Sequence, residues 1–380
     1  MRTVGVIMNG VTGRMGTNQH LIRSVLAIRE DGGVASADGT RIVPEPILVG
    51  RNADKLSSLA SRHAVERWTT DLSEALAEDD AEIYFDAQVT SARPEAILAA
   101  ITAGKHVFCE KPVAPDTETA VQIARAAREA GVRNGVVQDK LFLPGLRKLR
   151  RLIDGGFFGR ILSVRGEFGY WVFEDGLLPL QRPSWNYRAA DGGGIVMDMF
   201  PHWSYVLEAI AGRIASVTCT TMTHIPQRVD EDGAVYAATA DDAAYAIFEF
   251  ESGAVAQINS SWAVRVHRDE LVEFQVDGTQ GSAVAGLRGC VVQHRAASPC
   301  PVWNPDIPDP NHYRSHWLEV TDDTYENGFR MQWESFLRHV VDSDPFPWDI
   351  VAGARGVQLA ELALRSAAEG RRIEIPELPL

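Results

Sequence analysis

Through the first 138 residues, short apolar runs alternate with helical patterns, and short links join them. Thr3–Met8, Ile47–Gly50, Ile83–Asp86, Lys105–Cys109 and Val132–Gln138 read as buried strands. Between them, Pro94–Ala103 and Asp116–Ala130 carry apolar residues at helical spacing, with Gly104 and Gly131 placed to end each helix. Asp71 is read as a helix cap. Such repeats specify a doubly wound parallel sheet, because parallel strands need a crossover between them. Residues 29–45, rich in Gly and Asp, are expected to form an inserted loop or small hairpin before the second long strand.

From Asp139 the rhythm changes. After one helix, Leu146–Ile153, come strand-like runs at Ile161–Tyr170, Ala215–Met222, Ala243–Glu251, Ala254–Trp262 and Leu271–Val276. Ser252-Gly253 reads as a tight hairpin turn. Residues 296–315 are Pro-rich and expected to be irregular, and helices over Arg330–Val341 and Val351–Glu369 close the chain. The expectation is two domains: an α/β nucleotide-binding domain over 1–138, and an α+β domain over 139–380 whose open, mostly antiparallel sheet has one face covered by helices.

Bulk numbers narrow the function. A formal charge of −14 opposes general binding to nucleic acid or an anionic membrane surface. No apolar run is long enough to span a bilayer, and no basic, apolar leader precedes the first strand. The four cysteines have no metal-ligand or disulfide-framework spacing. The expected setting is cytoplasmic and reducing, with no metal.

Two stretches carry chemistry. After the first strand comes Asn9-Gly10-Val11-Thr12-Gly13-Arg14-Met15-Gly16, followed by a helical pattern. Glycines let backbone approach a pyrophosphate, and a helix N-terminus offers free N–H groups. The spacing departs from GxGxxG because Met8 occupies the first glycine slot. At the end of the second strand, Gly50-Arg51-Asn52 stands where an acid usually holds the ribose hydroxyls. An arginine there suits a 2′-phosphate; a solvated arginine at a helix start is the alternative. The second stretch is Lys105-His106-Val107-Phe108-Cys109-Glu110-Lys111-Pro112, a β-prone run ending in a carboxylate, an ammonium and a proline that stops the strand. Its charged end lies where open α/β sheets bind ligands. Further on, Gly192-Gly193-Gly194 precede a helix with Asp198 and His202 one turn apart. A carboxylate and an imidazole so placed can move a proton near neutral pH.

Together these motifs resemble the Gfo/Idh/MocA oxidoreductases, relatives of glucose–fructose oxidoreductase and inositol dehydrogenase. Ala103–Pro112, Gly155-Gly156-Phe157-Phe158-Gly159, Gly192–His202, Asp242, Ser252-Gly253, Ser261-Trp262 and Asp277–Ser282 carry the likeness. It implies a Rossmann domain, then an open-faced sheet domain, a homodimer or homotetramer, and catalysis by Lys111, Asp198 and His202. It also implies NAD or NADP, contacted by Gly10, Thr12, Gly13, Arg14, Met15, Gly16, Arg51, Asn52, Thr90, Glu110 and Lys111. The glycine turn looks like that of dihydrodipicolinate reductase, whose turn arginine lies near the adenosine phosphate; Arg14 matches it and, with Arg51, leans the expectation to NADP. The chain departs from the family pattern at Arg93-Pro94, where relatives often carry a histidine, and at Lys140.

A narrower likeness is to trehalose and glucoside dehydrogenases, which oxidise C3 to a 3-keto sugar. Gly10–Gly16 with Asn18–Arg23, Val137–Gly145, Gly166–Trp171 and Arg182–Arg188 carry it. The implied reaction moves hydride between the nicotinamide and a secondary hydroxyl of a sugar or glycoside. His202 is the expected base, and Asp198 is expected to orient it or the sugar. Lys111 supplies a hydrogen bond, and Asp139, Lys140, Tyr170, Trp171, Trp185 and Arg188 line the substrate. Glu110 is expected to fix the strand end or the nicotinamide ribose. An NAD-dependent glycosidase working through a transient 3-keto sugar, and a non-catalytic NAD(P)-binding regulator, share the same motifs.

Overall fold

The computed structural model describes residues 1–173, 182–321 and 327–380. It divides into two compact units. The first holds Met1–Phe142, Glu326–Glu361 and Glu377–Leu380; the second holds Leu143–Tyr325 and Leu362–Pro376.

The first unit is built on strands β1 (Arg2–Asn9), β2 (Val34–Ala35), β3 (Arg41–Val49), β4 (Arg67–Thr69), β5 (Ala81–Asp86), β6 (His106–Cys109) and β7 (Asn134–Val136). The order is β2-β3-β1-β5-β6-β7, with β4 also on β3. All pairs except β2–β3 are parallel. Leaving β2 aside, this is the doubly wound order in which ligands bind beyond the strands' carboxyl ends. The hairpin expected within 29–45 is β2 turning into β3. However, β3 begins at Arg41 rather than Ile47 and takes in Pro44 and Pro46. Its free edge accounts for this. On the side away from β1, β3 pairs only at Arg41–Ile42 and Ile47–Val49, so the two prolines fall where that side has no partner strand.

Both faces of the sheet are buried, as parallel sheets require. One face packs Ile7, Tyr84, Val107 and Cys109 with Ile97, Ile123, Ile350 and Val357. The other packs Val6, Met8, Phe85 and Phe108 with Trp333, Phe336 and Leu337. Ile350 and Val357, with Trp333, Phe336 and Leu337, come from the two C-terminal helices, Ile350–Glu369 and Gly328–Asp342. A single cut after residue 138 therefore does not describe the units, because each face takes one of these helices as part of its cover.

The second unit holds β8 (Ile161–Gly169), β9 (Ile214–Met222), β10 (Gln227–Val229), β11 (Val235–Ala237), β12 (Ala243–Phe250), β13 (Val255–Ser261), β14 (Val272–Gly278), β15 (Gly281–Ala285), β16 (Cys290–His294), β17 (Leu318–Glu319) and β18 (Ile373–Glu374). Nine of them form one sheet in the order β17-β16-β15-β14-β8-β13-β12-β9-β18. It is antiparallel except where β8 meets β13. Gly253 turns β12 into β13 at φ +81°. Alternation along β12 buries Ala244, Ala246 and Phe248 and exposes Tyr245 and Ile247. Helix Ile195–Ala211 covers the inner face over β9, β12 and β13. Its Trp203 is buried against Phe168 and Phe274, and its indole donates to Ser260 Oγ at 2.9 Å.

Candidate active site

In the first unit the strand ends are laced together. Gly10 N–H donates to Val49 O, Ala87 N–H to Asn9 O, and Glu110 N–H to Asp86 O at 2.8 Å. Gly10 has φ +80°, and a Cβ there would lie 2.7 Å from the backbone at Ala87 and Gln88. A Cβ on Gly16 would lie 2.8 Å from Gly10 O, so only glycine lets the next helix start this close to the turn. That helix, Gly16–Leu26, winds as a π-helix; it has no side-chain cap and no acid in its first turn. Thr12, Gly13, Arg14 and Met15 are exposed around it. A bare N-terminus behind a glycine cradle fits a dinucleotide pyrophosphate. Arg51 is exposed after β3, and Gly50-Arg51-Asn52 holds no acid; Asn52 instead caps the next helix, accepting from Lys55 N–H at 2.8 Å. Thr90 is half-buried in the turn after β5.

Glu110 and Lys111 follow β6. Glu110 is buried, and its Oε1 lies 2.8 Å from His20 Nε2 while Oε2 accepts from Lys111 N–H at 3.0 Å. Burial disfavours its charge, yet the His20 hydrogen bond and the nearby Lys111 and Arg93 outweigh this and hold its carboxyl below the usual range. Glu110 thus ties the end of β6 to His20 and to the Lys111 backbone. The Lys111–Pro112 peptide is cis.

Arg93 secures the far side of this segment. Its Nε donates to Asp86 Oδ1 at 3.0 Å, one terminal nitrogen donates to Gln88 O at 2.7 Å, and the other donates to Pro112 O. Asp86 also accepts from Tyr84 Oη at 2.6 Å and Gln88 N–H at 2.9 Å. Burial, with Asp86 beside it, raises the Tyr84 phenol well above its ordinary value. Asp139 is buried and takes a 2.8 Å bond from Lys140 Nζ.

In the second unit, Gly194 stands at φ +118°, and a Cβ there would meet Asp241 Oδ1 at 2.5 Å. Asp241 receives the start of helix Ile195–Ala211: Val196 N–H donates to its carboxylate at 2.8 Å and Ile195 N–H to its carbonyl at 2.9 Å. Asp198 and His202 ride on that helix. Arg182 donates to Asp198 Oδ2 at 2.8 Å, and its guanidinium lies 4.4 Å above the Trp262 ring. His202 is buried, with Nδ1 2.5 Å from the Tyr205 hydroxyl. Tyr170 is half-buried beside Arg182, at 3.4 Å. Trp171 and Trp185 are exposed, not core. Arg265 covers Trp171 at 4.2 Å. Arg188 lies over Tyr236 at 4.5 Å and reaches Asp230 at 4.0 Å.

The structure thus joins Glu110 with the backbone of Lys111, and Asp139 with Lys140, in the first unit, and Asp198 with Tyr170 through Arg182 in the second. Sequence reading assigned no role to His20, Trp333, Arg182, Tyr205 or Asp241. Tyr205 had a signal, because it follows His202 by three on a helix. No local pattern marks the others.

Among the described residues, no group of three or more His, Cys, Asp or Glu could hold a metal ion, and no helix is long and apolar enough to cross a membrane. Residues 33–138 match the model of an oxidoreductase family with an NAD-binding Rossmann fold, and residues 146–284 match the GFO/IDH/MocA C-terminal domain. The chain belongs to the GFO/IDH/MocA oxidoreductase family. A D-xylose dehydrogenase of Paenarthrobacter nicotinovorans is 57% identical over 382 residues, covering 99% of this chain and 98% of the relative. A 1,5-anhydro-D-fructose reductase of Ensifer adhaerens is 27% identical over 66% of this chain and 70% of its own. A levoglucosan dehydrogenase, solved with NADH and L-sorbose, shares the fold at a TM-score of 0.82, with 20% identity over 99% of this chain and 100% of the other. As a GFO/IDH/MocA protein, the chain is an oxidoreductase with an NAD-binding domain.

Proposed function

We propose that this GFO/IDH/MocA protein is an NAD(P)-dependent sugar dehydrogenase whose catalytic groups are Lys111, Asp198 and His202. The observation that carries the reading is the 57% identity, over nearly all of both chains, to a D-xylose dehydrogenase. When bound, the nicotinamide supplies the hydride acceptor. Lys111 donates a hydrogen bond to the reacting oxygen, and its cation stabilises alkoxide charge as it develops. His202 takes the hydroxyl proton at Nε2; for that, Nδ1–H donates to the Tyr205 oxygen, which fixes the tautomer. Asp198, aligned by Arg182, accepts from a sugar hydroxyl. Tyr170, Trp171 and Trp185 offer apolar faces with polar edges to a pyranose, and Asp139, Lys140 and Arg188 take its other hydroxyls.

D-Xylose is the first substrate to try. Oxidation at the anomeric carbon gives a lactone, and oxidation at C3 gives a 3-keto sugar, so the product identifies the position. Arg14 and Arg51, with no acid in Gly50-Arg51-Asn52 at the end of β3, favour NADP. The setting is cytoplasmic, in keeping with four cysteines that are all free thiols. The assembly is a homodimer or homotetramer, to be measured by light scattering. The test is cofactor reduction with aldoses, glucosides and polyols, using NAD and NADP, by the wild type and by Lys111→Met and His202→Ala. The expected result is turnover with an aldose or glycoside and a loss of about 100-fold or more in each variant. Near-wild-type turnover in both folded variants overturns the roles; no cofactor reduction with any sugar overturns the reading.

A further inference from the structure

His20 lies one turn into the helix that starts at the glycine turn, and its ring is fully buried. Both ring nitrogens are engaged. Trp333 Nε1 lies 3.0 Å from Nδ1, and Glu110 Oε1 lies 2.8 Å from Nε2. An indole N–H only donates, so Nδ1 is the acceptor. The neutral ring's one proton is then on Nε2 and is donated to Glu110. A second proton on Nδ1 would set two N–H groups against each other. Phe85 and Phe329 pack on the ring at 4.4 and 5.1 Å between centroids, which opposes rotation. The other Glu110 oxygen holds Lys111 N–H. One polar chain therefore runs from Trp333 through His20 and Glu110 to the Lys111 backbone, all within the first unit.

We propose that His20 is a positioning residue for Lys111: by holding Glu110 in one orientation, it sets where the lysine backbone, and so its ammonium, can reach. This rests on the reading of Lys111 as a catalytic group. It also ties the lysine to the helix whose bare N-terminus fits the cofactor phosphates, so one element serves both.

The test compares His20→Leu, His20→Gln and His20→Asn, each alone and in a Lys111→Met background. Gln places an amide N–H at the reach of Nε2, whereas Asn falls short of it. The readouts are kcat, KM and amide hydrogen exchange at residue 111 in the protein without cofactor. His20→Leu is expected to lower kcat about 10- to 100-fold, the range for losing a hydrogen bond to a buried charge, with KM for sugar changed less than about threefold. Amide exchange at residue 111 should speed up about tenfold or more, since its acceptor is no longer held. His20→Gln should restore both to within about threefold while His20→Asn does not, and in the Lys111→Met background His20→Leu should cost less than about twofold in residual turnover. If Lys111→Met abolishes turnover but His20→Leu leaves kcat and exchange unchanged, the positioning role is overturned and the catalytic reading stands. If Lys111→Met keeps full turnover, the catalytic reading falls and takes this inference with it. Should His20→Leu fail to fold, the Gln and Asn pair decides: equal kcat and exchange in the two overturns the proposal.

Discussion

Replacing Arg93 with Met removes the guanidinium that closes the strand ends beside Lys111. The Asp86–Arg93 pair is almost entirely out of solvent, with side chains 0% and 3% exposed. Removing one partner of such a pair costs about 3–5 kcal/mol, because the other charge stays buried. Asp86 would keep Tyr84 Oη and Gln88 N–H, which draws the estimate toward about 3 kcal/mol. The carbonyls of Gln88 and Pro112 would lose their guanidinium donor, which pulls it back up. For a unit of this size the change corresponds to a fall in Tm of about 6–20 °C. Urea unfolding followed by circular dichroism gives the difference from the shift in midpoint. Asp86→Asn with Arg93→Met should cost about 2 kcal/mol less than the sum of the single changes, because each removes the charge that the other strands. Arg93→Lys should not rescue, since one ammonium cannot span three acceptors set around a planar fork. A loss below about 1 kcal/mol in Arg93→Met, or additivity within about 0.5 kcal/mol, would refute the reasoning.

Three other outcomes follow from the same structure. Burial pushes the thiols of Cys109 and Cys219 up to about 12 and that of Cys290 to about 11, while Cys300 is exposed; a disulfide reagent at neutral pH should label one thiol in the native protein and all four after denaturation. Glu110 is held below its ordinary 4.5, so its charge stabilises the fold above that value, and the contribution is lost as pH falls through the lower folded value; Glu110→Gln should make unfolding less pH-dependent in that acid window, measured by Tm against pH. His20→Gln should outperform His20→Asn in kcat although the two residues differ by one methylene, as steady-state kinetics would show.

Much of the fold was legible because its signals are local. Gly104 and Gly131 end their helices in left-handed conformations, and Asp71 and Asp116 cap theirs through side-chain acceptors. The sequence alone starts β3 too late, because Pro44 and Pro46 argue against a strand unless the free edge is known, and that edge depends on where β2 and β4 stop. The C-terminal helices were visible by period, but which sheet they cover was not. Trp333 and Phe336 meet Phe108 across more than two hundred residues of sequence, and no local pattern carries that pairing. The same holds for the candidate site. Lys111, Asp198 and His202 announce themselves by motif. The groups that hold their surroundings (His20, Trp333, Arg93, Arg182 and Asp241) act through contacts distant in sequence, so only the folded chain shows them. Arg93 departs from the family pattern, and its three acceptors explain what an arginine does there.

The most direct measurement is cofactor reduction, followed by the absorbance of the reduced nicotinamide, with D-xylose and a panel of aldoses and glucosides. Wild type should reduce NAD or NADP with at least one of them, and folded Lys111→Met and His202→Ala should each lose about 100-fold or more. Full turnover in both variants, or no reduction by the wild type with any sugar while the cofactor binds, would contradict the account.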